Sequence, residues 1–475
     1  VINMENGNIT KNATVTLDDR AEFNMENGMI NEGANLNLNS QSTFNLNGGE
    51  IAEDANVSLT EHATINQNNG KLSLNSSDTY SGKINLNGGN LVINGANKGQ
   101  TGILNQTGGQ TQILGNTFDL NNAQDKILGG SLVVGDVNNE STLTISNGTV
   151  SKDVETTIYQ DSTINLNGGK LALDSADTIE GNLNVTTGRL ELDGASKGEY
   201  GTFTQTGGET FVTGSGFDLN NEKDNISGGS VVVGGEVANS DLTLSEGSIS
   251  SSAHVKVDNG STINVSGGSI TTGAKVDIED TSGLTLTDGS ITDSAVINFE
   301  DTSNMTMSGG EVSNGASLNF EDESSFEMTD GEIKDKAQVN ITENSSMTMT
   351  KGQITSGAGL NVSNTGIFNM NGGIISDSAT VNLNHEAQMN MADGVVKSGA
   401  TVNVNDTSSL NMTNGNITGT AVVNLKDRGE FNMEEGTFND GATLNIDDQG
   451  EFNISGGSFA SDATMVISEH GKVNQ

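Results

Sequence analysis

The side chains that most often perform acid–base chemistry are few and scattered in this sequence. The 475-residue chain has only four histidines, with no acidic residue or serine at a recurring distance from them: His62, His254, His385 and His470. General acid–base catalysis needs such groups held within hydrogen-bond reach of a substrate. The GxxxxGK[ST] phosphate loop is also absent. We therefore predict no catalytic residue, no cofactor-binding residue and no enzyme activity.

Acidic residues recur just after a predicted strand in several of the repeats. Calcium prefers oxygen ligands, so stacked carboxylates there would form a calcium ladder, and its candidate ligands are Asp258, Asp280, Asp301, Asp322 and Glu343. Like charges on adjacent turns also oppose each other. A solvated acidic edge that keeps the protein soluble is the commoner explanation of such residues. Calcium is the one possible cofactor that the sequence indicates.

Asparagine recurs once per repeat between two apolar positions, where a strand directs its side chain outward. These positions are Asn298, Asn319, Asn340, Asn361, Asn382, Asn403, Asn424 and Asn445. Stacked asparagines can bond amide to amide, as they do in cross-β assemblies. We interpret them as a structural ladder. The alternative is a flat polar face that binds glycan or ice, but equivalent outward sites elsewhere are mixed, with Thr285, Glu327 and Asn390 among them.

These side chains lie in a repeated sequence unit, and a glycine marks the same position of each unit. Eleven glycines follow at 21-residue intervals: Gly247, Gly268, Gly289, Gly310, Gly331, Gly352, Gly373, Gly394, Gly415, Gly436 and Gly457. Counting the earlier, less regular markers gives 23 units. A period of about 20 to 50 residues is typical of solenoids and arrays.

The irregular part of the chain contains a duplication. The blocks 70–148 and 169–247 share the same uneven glycine spacing at a constant offset of 99, and 249–475 holds the regular repeats. The matching loops GANKGQTG and GASKGEYG are the predicted protrusions. We expect one continuous solenoid over 1–475.

Each unit shows strand periodicity. Around Gly331 the apolar positions are Phe326, Met328, Ile333, Ala337, Val339 and Ile341. A spacing of two is typical of strands, not helices. Short strands separated by tight turns bury an apolar face only when units stack at ~4.8 Å. The sequence therefore predicts an all-β fold, a single-stranded parallel β-helix of about 23 rungs and ~110 Å length. A β-sandwich is the alternative.

Composition agrees with a stack that has no disulfide bonds. The chain has no Pro, which would remove ladder hydrogen bonds, and no Cys, so stability must come from stacking. No apolar run approaches the ~18 residues of a membrane span. A net charge of −42 would repel nucleic acid and anionic membranes. The chain begins and ends within a unit, so we expect it to be a slice of a longer protein.

One pair of segments carries a family resemblance. GKLSLNSSDTYSG at 70–82, followed by GGNL at 88–91, resembles the passenger repeat of bacterial autotransporter adhesins, GGTLTLSGANTYTGG followed by GGTL. In the copy GKLALDSADTIEG, Ile179 replaces the aromatic residue. The resemblance implies a right-handed β-helical surface protein, and parallel crossovers are generally right-handed.

Two function classes follow. The first is a non-catalytic extracellular fibre or stalk segment of a bacterial surface protein, a rigid acidic rod whose partners are more copies of itself or further repeats, end to end. The second is an adhesin passenger, or an ice- or glycan-binding rod, that uses one outward face. A host or matrix surface is a possible partner of either, whereas nucleic acid binding and membrane insertion are not expected.

Overall fold

The computed structural model describes residues 1–115, 117–468 and 470–475. Within them the secondary structure is entirely β, and no helix occurs. Most of the longer strands alternate a half-buried with a buried side chain, as Gln338–Ile341 does. This alternation follows from strand geometry, in which successive side chains point to opposite faces. The chain forms two compact units, Val1–Gly229 and Ser230–Gln475.

In the second unit a turn contains up to three strands, exemplified by Gln338–Ile341, Ser346–Met349 and Gln353–Ile354. We call them the ladder strand, the middle strand and the short strand. The ladder strands are Ser230–Val233, His254–Val257, Lys275–Ile278, Val296–Phe299, Ser317–Phe320, Gln338–Ile341, Gly359–Ser363, Thr380–Asn384, Thr401–Val404, Val422–Leu425, Thr443–Ile446 and Thr464–Ile467.

The remaining strands of this unit are middle strands, short strands, or longer strands that join the two. The middle and joined strands are Asp241–Leu244, Thr262–Val265, Gly283–Leu286, Asn304–Val312, Ser325–Ile333, Ser346–Met349, Ile367–Ile375, Gln388–Val396, Ser409–Met412, Glu430–Met433, Glu451–Ile454 and Lys472–Asn474. The separate short strands are Ser248–Ile249, Ser269–Ile270, Ser290–Ile291, Gln353–Ile354, Asn416–Ile417, Thr437–Phe438 and Ser458–Phe459.

The strands of the regular repeats pair in parallel with their counterparts one turn later. Val339 pairs with Leu360, and Asn340 with Asn361, so the register is offset by one complete repeat. This pairing confirms the predicted parallel β-solenoid. The two units together contain about 22 turns of about 21 residues. The sequence has 23 marker glycines, and 23 markers enclose 22 intervals of one turn each. This explains why the structure has about 22 turns and not the predicted 23.

Tight corners connect the strands. Before the ladder strand, Asp335 and Lys336 have φ of 49° and 67°, and the N–H of Ala337 donates to the carbonyl of Lys334 at 3.0 Å. Turns with two left-handed residues favour Asn, Asp and Gly, which explains the polar composition of the corners. Ala337 itself is fully buried, so a larger side chain would enter the core.

The marker glycine forms another corner, between the middle strand and the short strand, where successive turns approach closely. A Cβ built on Gly394 would lie 2.6 Å from Cε of Met370 and 3.1 Å from the main chain of Gly372. Its φ is 102°, a conformation that L side chains rarely adopt. A side chain at this position of the repeat would clash with the preceding turn, which explains why the position is glycine.

The first unit has the same construction up to about residue 70. The counterparts of the ladder strands are Thr14–Leu17, Asn35–Leu38, Asn56–Leu59, Thr79–Tyr80 and Asn97–Lys98. The middle-strand stack comprises Ile2–Met4, Glu22–Met25, Thr43–Leu46, Thr64–Gln67, Lys83–Leu86, Ile103–Gln106, Lys126–Ile127 and Thr149–Val150. The short-strand stack comprises Asn8–Ile9, Met29–Ile30, Glu50–Ile51, Lys71–Asn75, Asn90–Asn94, Gln110–Leu114, Gly130–Val134, Val154–Ile158 and Thr178–Ile179.

The duplicated blocks are where the first unit departs from this plan. Phe118 pairs with Leu143, and Lys126 pairs with Thr149, and both separations exceed the period of the regular repeats. The strands involved, with the last strands of the unit, are Phe118–Leu120, Thr142–Ile145, Thr163–Asp174, Asn182–Asp193, Thr202–Gln205, Glu209–Thr213, Phe217–Asp218 and Asn225–Ile226. The uneven glycine spacing thus corresponds to uneven turns.

Columns of apolar side chains fill the interior of each unit. Phe299 and Phe320 stack with ring centroids 4.3 Å apart, and Phe320 lies 5.4 Å from Phe326. In the first unit Phe23 stacks on Phe44 at 5.1 Å. Identical residues at identical positions of adjacent turns meet because the pairing is in register. Stacked aromatic rings add to the burial of apolar surface that stabilises each turn.

Candidate functional site: side-chain ladders, acidic turns and buried charges

The asparagines of the ladder strands form a continuous hydrogen-bonded column. In each pair Nδ2 of the later residue donates to Oδ1 of its counterpart on the preceding turn, at 2.7–2.9 Å. The column comprises Asn298, Asn319, Asn340, Asn361, Asn382, Asn403, Asn424 and Asn445. Parallel in-register strands about 4.8 Å apart bring equivalent amides within bonding distance.

Asp277 occupies the amino-terminal end of this column. Its carboxylate accepts a hydrogen bond from Nδ2 of Asn298 at 2.7 Å, and it also contacts Nζ of Lys275 at 2.7 Å and Nε2 of His254 at 2.6 Å. Burial acts to raise the pKa of Asp277, but hydrogen bonds from Lys275, Asn298 and His254 outweigh it and hold the pKa below its usual value. An ionised carboxylate only accepts hydrogen bonds, so Asn298 must present its N–H to it.

The carboxyl-terminal end of the column is apolar. In-register pairing places Val466 after Asn445, and the Val466 side chain can neither donate nor accept. The asparagine column therefore has two chemically different ends, a carboxylate and an aliphatic side chain.

Further ladders lie on the middle strands, where the sequence had indicated only mixed outward positions. In the second unit the members, bonded at 2.7–3.0 Å, are Asn369, Asn390, Asn411, Asn432, Asn453 and Asn474. In the first unit, bonded at 2.7–2.8 Å, they are Asn3, Asn24, Asn45, Asn66 and Asn85. The signal that would have revealed them is asparagine recurring at the same phase in consecutive units.

A second ladder of the first unit also begins on a carboxylate. Nδ2 of Asn47 donates to Glu26 at 2.7 Å, and the next two asparagines continue the column to Thr107. An acidic residue before the first asparagine thus occurs in both units. The ladders bind successive turns through side chains as well as through the main chain.

Three of the acidic residues predicted as calcium ligands lie at a tight corner after the ladder strand. Asp280, Asp301 and Asp322 have φ of 57–59°, a left-handed conformation that aspartate tolerates better than most residues. The carboxylate of Asp301 accepts the main-chain N–H of Asp280 at 3.1 Å, and Asp322 accepts that of Asp301 at 3.4 Å. Turn conformation and main-chain bonding account for aspartate at this position.

The other two candidates have different surroundings. Glu343 occupies the same corner with φ of 50°. Asp258 lies one position earlier in its turn, where it accepts the N–H of Gly235 at 2.5 Å and lies 3.5 Å from Nζ of Lys256. Among the described residues, no group of three or more His, Cys, Asp or Glu side chains is arranged to hold a metal ion. The calcium ladder stays a prediction.

Negative charge is nevertheless concentrated along this edge. An open groove of about 390 Å³ is lined by Asp301, Thr302, Asp322, Glu323, Glu343 and Asn344. Nearby, the pKa of Glu300 is raised, first by burial and then by the charges of Glu279, Asp277, Glu321 and Asp301. Like charges on neighbouring turns therefore repel one another here.

The duplicated blocks contain buried charges that the sequence did not reveal. Nζ of Lys98 lies 2.9 Å from Asp125, and Nζ of Lys197 lies 3.0 Å from Asp224; the exposed fraction of all four side chains is 2% or less. Burial raises the pKa of each aspartate, against the lowering effect of its lysine and its main-chain donors. The signal in the sequence is that both residues recur at an offset of 99.

These lysines belong to the loops that were predicted to protrude. Tyr200 of the second loop is 66% exposed, but both lysine side chains turn inward. Tyr80, which precedes the first loop, is 1% exposed and packs on Phe118 with ring centroids 6.4 Å apart. The loops are therefore anchored by their lysines.

Two more aspartates of the blocks are buried without an ion pair in the described part of the chain. Asp177 accepts the main-chain N–H groups of Thr156 at 2.5 Å and Asp174 at 2.6 Å, and Asp78 makes the equivalent two bonds. Burial raises the pKa of Asp177 to about 6, and it raises that of Asp78 as well.

The histidines lie apart from one another. Apart from the contact of His254 with Asp277, His385 lies 3.6 Å from Asp406 and is 72% exposed at its side chain. His62 lines a groove of about 450 Å³ in the first unit with Glu61, Lys83 and Gln100 among its neighbours. In the described residues, no histidine joins an acid and a nucleophile in a catalytic arrangement.

Comparison with known proteins finds similarity to solved structures. No family model and no curated protein matches the chain. The structure is similar to the crystal structure of the Haemophilus influenzae Hap adhesin, with 13% sequence identity and a TM-score of 0.43; the match covers 96% of this chain and 61% of that chain. The β-solenoid architecture is established by the strand pairing of this chain itself.

No helix that would be long and apolar enough to cross a membrane occurs among the described residues.

Proposed function

We propose that this protein is a non-catalytic structural segment of an extracellular bacterial fibre or stalk. It acts as a rigid, acidic rod that separates whatever lies at its two ends. Its partners are further repeats of the same kind or further copies of the chain, arranged end to end. The location is the cell surface or the extracellular matrix.

The observation that carries this proposal is the register of the stack. The regular turns bond their neighbours through main-chain ladders and, from Asp277 onward, through asparagine columns, with amide contacts as short as 2.7 Å. Such cohesion resists bending and local opening, which suits a spacer. The net charge of −42 favours solubility and disfavours association with anionic partners.

The alternative is an adhesin passenger, or an ice- or glycan-binding rod, that uses one outward face. The asparagine columns favour it in one respect. An amide has two N–H donors, and the ladder bond uses one of them, so each column offers a second donor at every turn. A sugar hydroxyl or an ordered water molecule could accept it.

Deleting complete turns tests the spacer function. Removing residues 332–373 takes out two turns and rejoins the chain in phase. We expect a folded, cooperative protein whose longest dimension is shorter by about 10 Å in small-angle scattering, from the rise per turn. Removing residues 374–415, another two turns, should give the same result, because a spacer depends on the number of turns and not on their identity.

A deletion of residues 332–362 is the matched control, since it breaks the phase by half a turn and should unfold the neighbouring repeats. The binding face would instead be supported if the intact chain showed saturable glycan binding or thermal hysteresis. That activity should then be lost in one of the two in-phase deletions, 332–373 or 374–415, and kept in the other.

A further inference from the structure

Two trios of side chains, each with a buried lysine, a buried aspartate and a half-buried asparagine, are repeated in the duplicated blocks. Each trio contains a lysine, an asparagine and an aspartate: Lys98, Asn121 and Asp125 in the first block, and Lys197, Asn220 and Asp224 in the second. All three positions are related by the offset of 99, although neighbouring positions such as Tyr80 and Ile179 differ. The trios take no part in the ladders or in the acidic turns.

The lysine ammonium lies between the other two groups. Nζ of Lys98 donates to Oδ1 of Asn121 at 2.5 Å and lies 2.9 Å from Oδ2 of Asp125. Nζ of Lys197 donates to Oδ1 of Asn220, lies 3.0 Å from Oδ2 of Asp224, and donates to the carbonyl of Gly201 at 2.9 Å.

We propose that in each trio the lysine Nζ and the asparagine Cγ form an intramolecular isopeptide bond, with the aspartate as proton carrier. Lysine first gives one ammonium proton to the aspartate, and its lone pair then attacks Cγ. The Nζ–Cγ bond forms and the Cγ–Nδ2 bond breaks.

The atoms and charges of this step balance. Of the three ammonium hydrogens, one stays on the new amide nitrogen, one passes to Nδ2, and one ends on the aspartate. Nδ2 leaves as ammonia. An ion pair and an amide become an amide, a neutral carboxylic acid and ammonia, and no oxidant or reductant is required.

Proximity favours the reaction. A carbonyl C=O bond is about 1.23 Å long, so an Nζ atom 2.5 Å from Oδ1 of Asn121 lies within about 3.7 Å of Cγ. Reactive groups held about 3–3.5 Å apart gain most of the advantage of an intramolecular reaction. The trio needs only a small rotation of the lysine side chain to reach that separation.

Burial favours the products. Removing a lysine and an aspartate from water penalises their charged forms, and the exposed fractions of Lys98 and Asp125 are 2% and 0%. The pKa of Asp125 is already raised by burial, despite the opposing charge of Lys98. The proposed step replaces the buried ion pair with neutral groups. It would also give covalent ties to a chain that has no Cys.

Intact mass spectrometry of the denatured full chain tests the proposal. Each bond releases one ammonia, so the mass should be about 34 Da below that of the sequence, at about 17 Da per bond. The Lys98→Arg and Lys197→Arg variants should each lose only about 17 Da relative to their own sequences, and the double variant nothing. Asp125→Asn should prevent the bond in the first trio.

Lys170→Arg is the matched control. Lys170 also pairs with a carboxylate, Glu191 at 2.7 Å, but it is 40% exposed and belongs to no trio, so its variant should keep the full mass deficit. Circular dichroism of each variant shows whether the β-fold is retained.

Ammonia is also lost when an Asn–Gly sequence forms a succinimide, so fragmentation must locate the deficit. A branched peptide joining Lys98 to Asn121 supports the proposal. A wild-type mass equal to the sequence mass, or a deficit that maps only to Asn–Gly sites, overturns it. A full deficit in Asp125→Asn would exclude the aspartate as proton carrier.

Discussion

Asn403 shows what a single residue of the column contributes. Its Nδ2 donates to Asn382 at 2.8 Å, and its Oδ1 accepts from Asn424 at 2.8 Å. Its neighbours Val402 and Val404 are fully buried, so the main chain on either side is fixed by packing. A residue in this position bonds two adjacent turns at once.

We expect Asn403→Ala to destabilise the turns around it by about 1–2 kcal/mol, because two side-chain hydrogen bonds are lost at a half-buried site. Asn445→Ala, at the end of the column, removes only the bond to Asn424 and should cost about half as much. Hydrogen exchange of strands Thr401–Val404 and Val422–Leu425 measures the effect. Equal protection in both variants and in the wild type would show that the ladder does not stabilise the stack.

Asp177 predicts a pH dependence of stability. Its folded pKa, about 6, lies above the value of 3.8 expected without burial, so the folded state binds the proton more tightly. The contribution of Asp177 to the free energy of unfolding is fully present below pH 3.8 and is lost as the pH rises through about 6. One pKa unit corresponds to about 1.4 kcal/mol, which gives a loss of about 2–3 kcal/mol.

The Asp177→Asn variant should flatten the unfolding free energy between these pH values, measured by denaturant titration. Asp224→Asn is a useful comparison, since Asp224 has Lys197 as a partner and its removal leaves a buried lysine. An unchanged pH profile in Asp177→Asn would contradict the assignment.

At the scale of the element, the marker glycine limits what each corner can accept. Gly394 and Gly357 both have left-handed φ, of 102° and 73°. A Cβ on Gly394 would contact Met370 and Gly372 below or near 3 Å, whereas nothing lies within 4 Å of a Cβ on Gly357. Substitution of Gly357 therefore measures only the cost of the left-handed conformation, whereas substitution of Gly394 also measures the cost of a steric clash.

We expect Gly357→Ala to cost about 1–2 kcal/mol, because alanine disfavours the left-handed conformation. Gly394→Ala adds a clash with the preceding turn and should cost about 1–3 kcal/mol more. Thermal unfolding of the two variants measures the difference. Similar melting temperatures would mean that the neighbouring turn moves aside without penalty.

The regular repeats could be predicted from the sequence because their order is periodic. Apolar residues at alternate positions and glycines at a constant interval fix the strands, the parallel register and the core, including Val339 and Ile341. Lys98 and Asp125 could not be found in this way. They are distant in the sequence, in a block with uneven turns, and their contact depends on where each strand of that block pairs.

The corners were also only partly predictable. The tight turns between the short strands were predicted correctly. The acidic residues beside them were interpreted through their charge, whereas the structure adds a conformational reason for Asp301 and Asp322, namely left-handed backbone angles and bonds to the preceding turn. Backbone angles of this kind follow from the pairing of complete turns.

At the scale of the whole molecule, the net charge of −42 predicts a dependence on ionic strength. Charges on successive turns repel across distances shorter than the Debye length, which is about 30 Å at 0.01 M salt and about 8 Å at 0.15 M. We expect the melting temperature to rise between these two NaCl concentrations, because screening relieves the repulsion in the folded state.

The same measurement tests the calcium ladder. Calcium chloride at matched ionic strength should raise the melting temperature above the NaCl value only if Asp301, Asp322 and Glu343 bind the ion together. An Asp301→Asn, Asp322→Asn double variant should then lose that increment. Equal shifts with the two salts would leave a solvated acidic edge as the interpretation.

The carboxylate at the start of the asparagine column has an electrical consequence. Because Asp277 forces Asn298 to present its N–H, each following amide must point the same way, and their dipoles add along the stack. The column thus has a positive pole toward Asp277 and a negative pole at Oδ1 of Asn445. The anion sits at the positive pole, as an acidic residue does at the amino terminus of an α-helix.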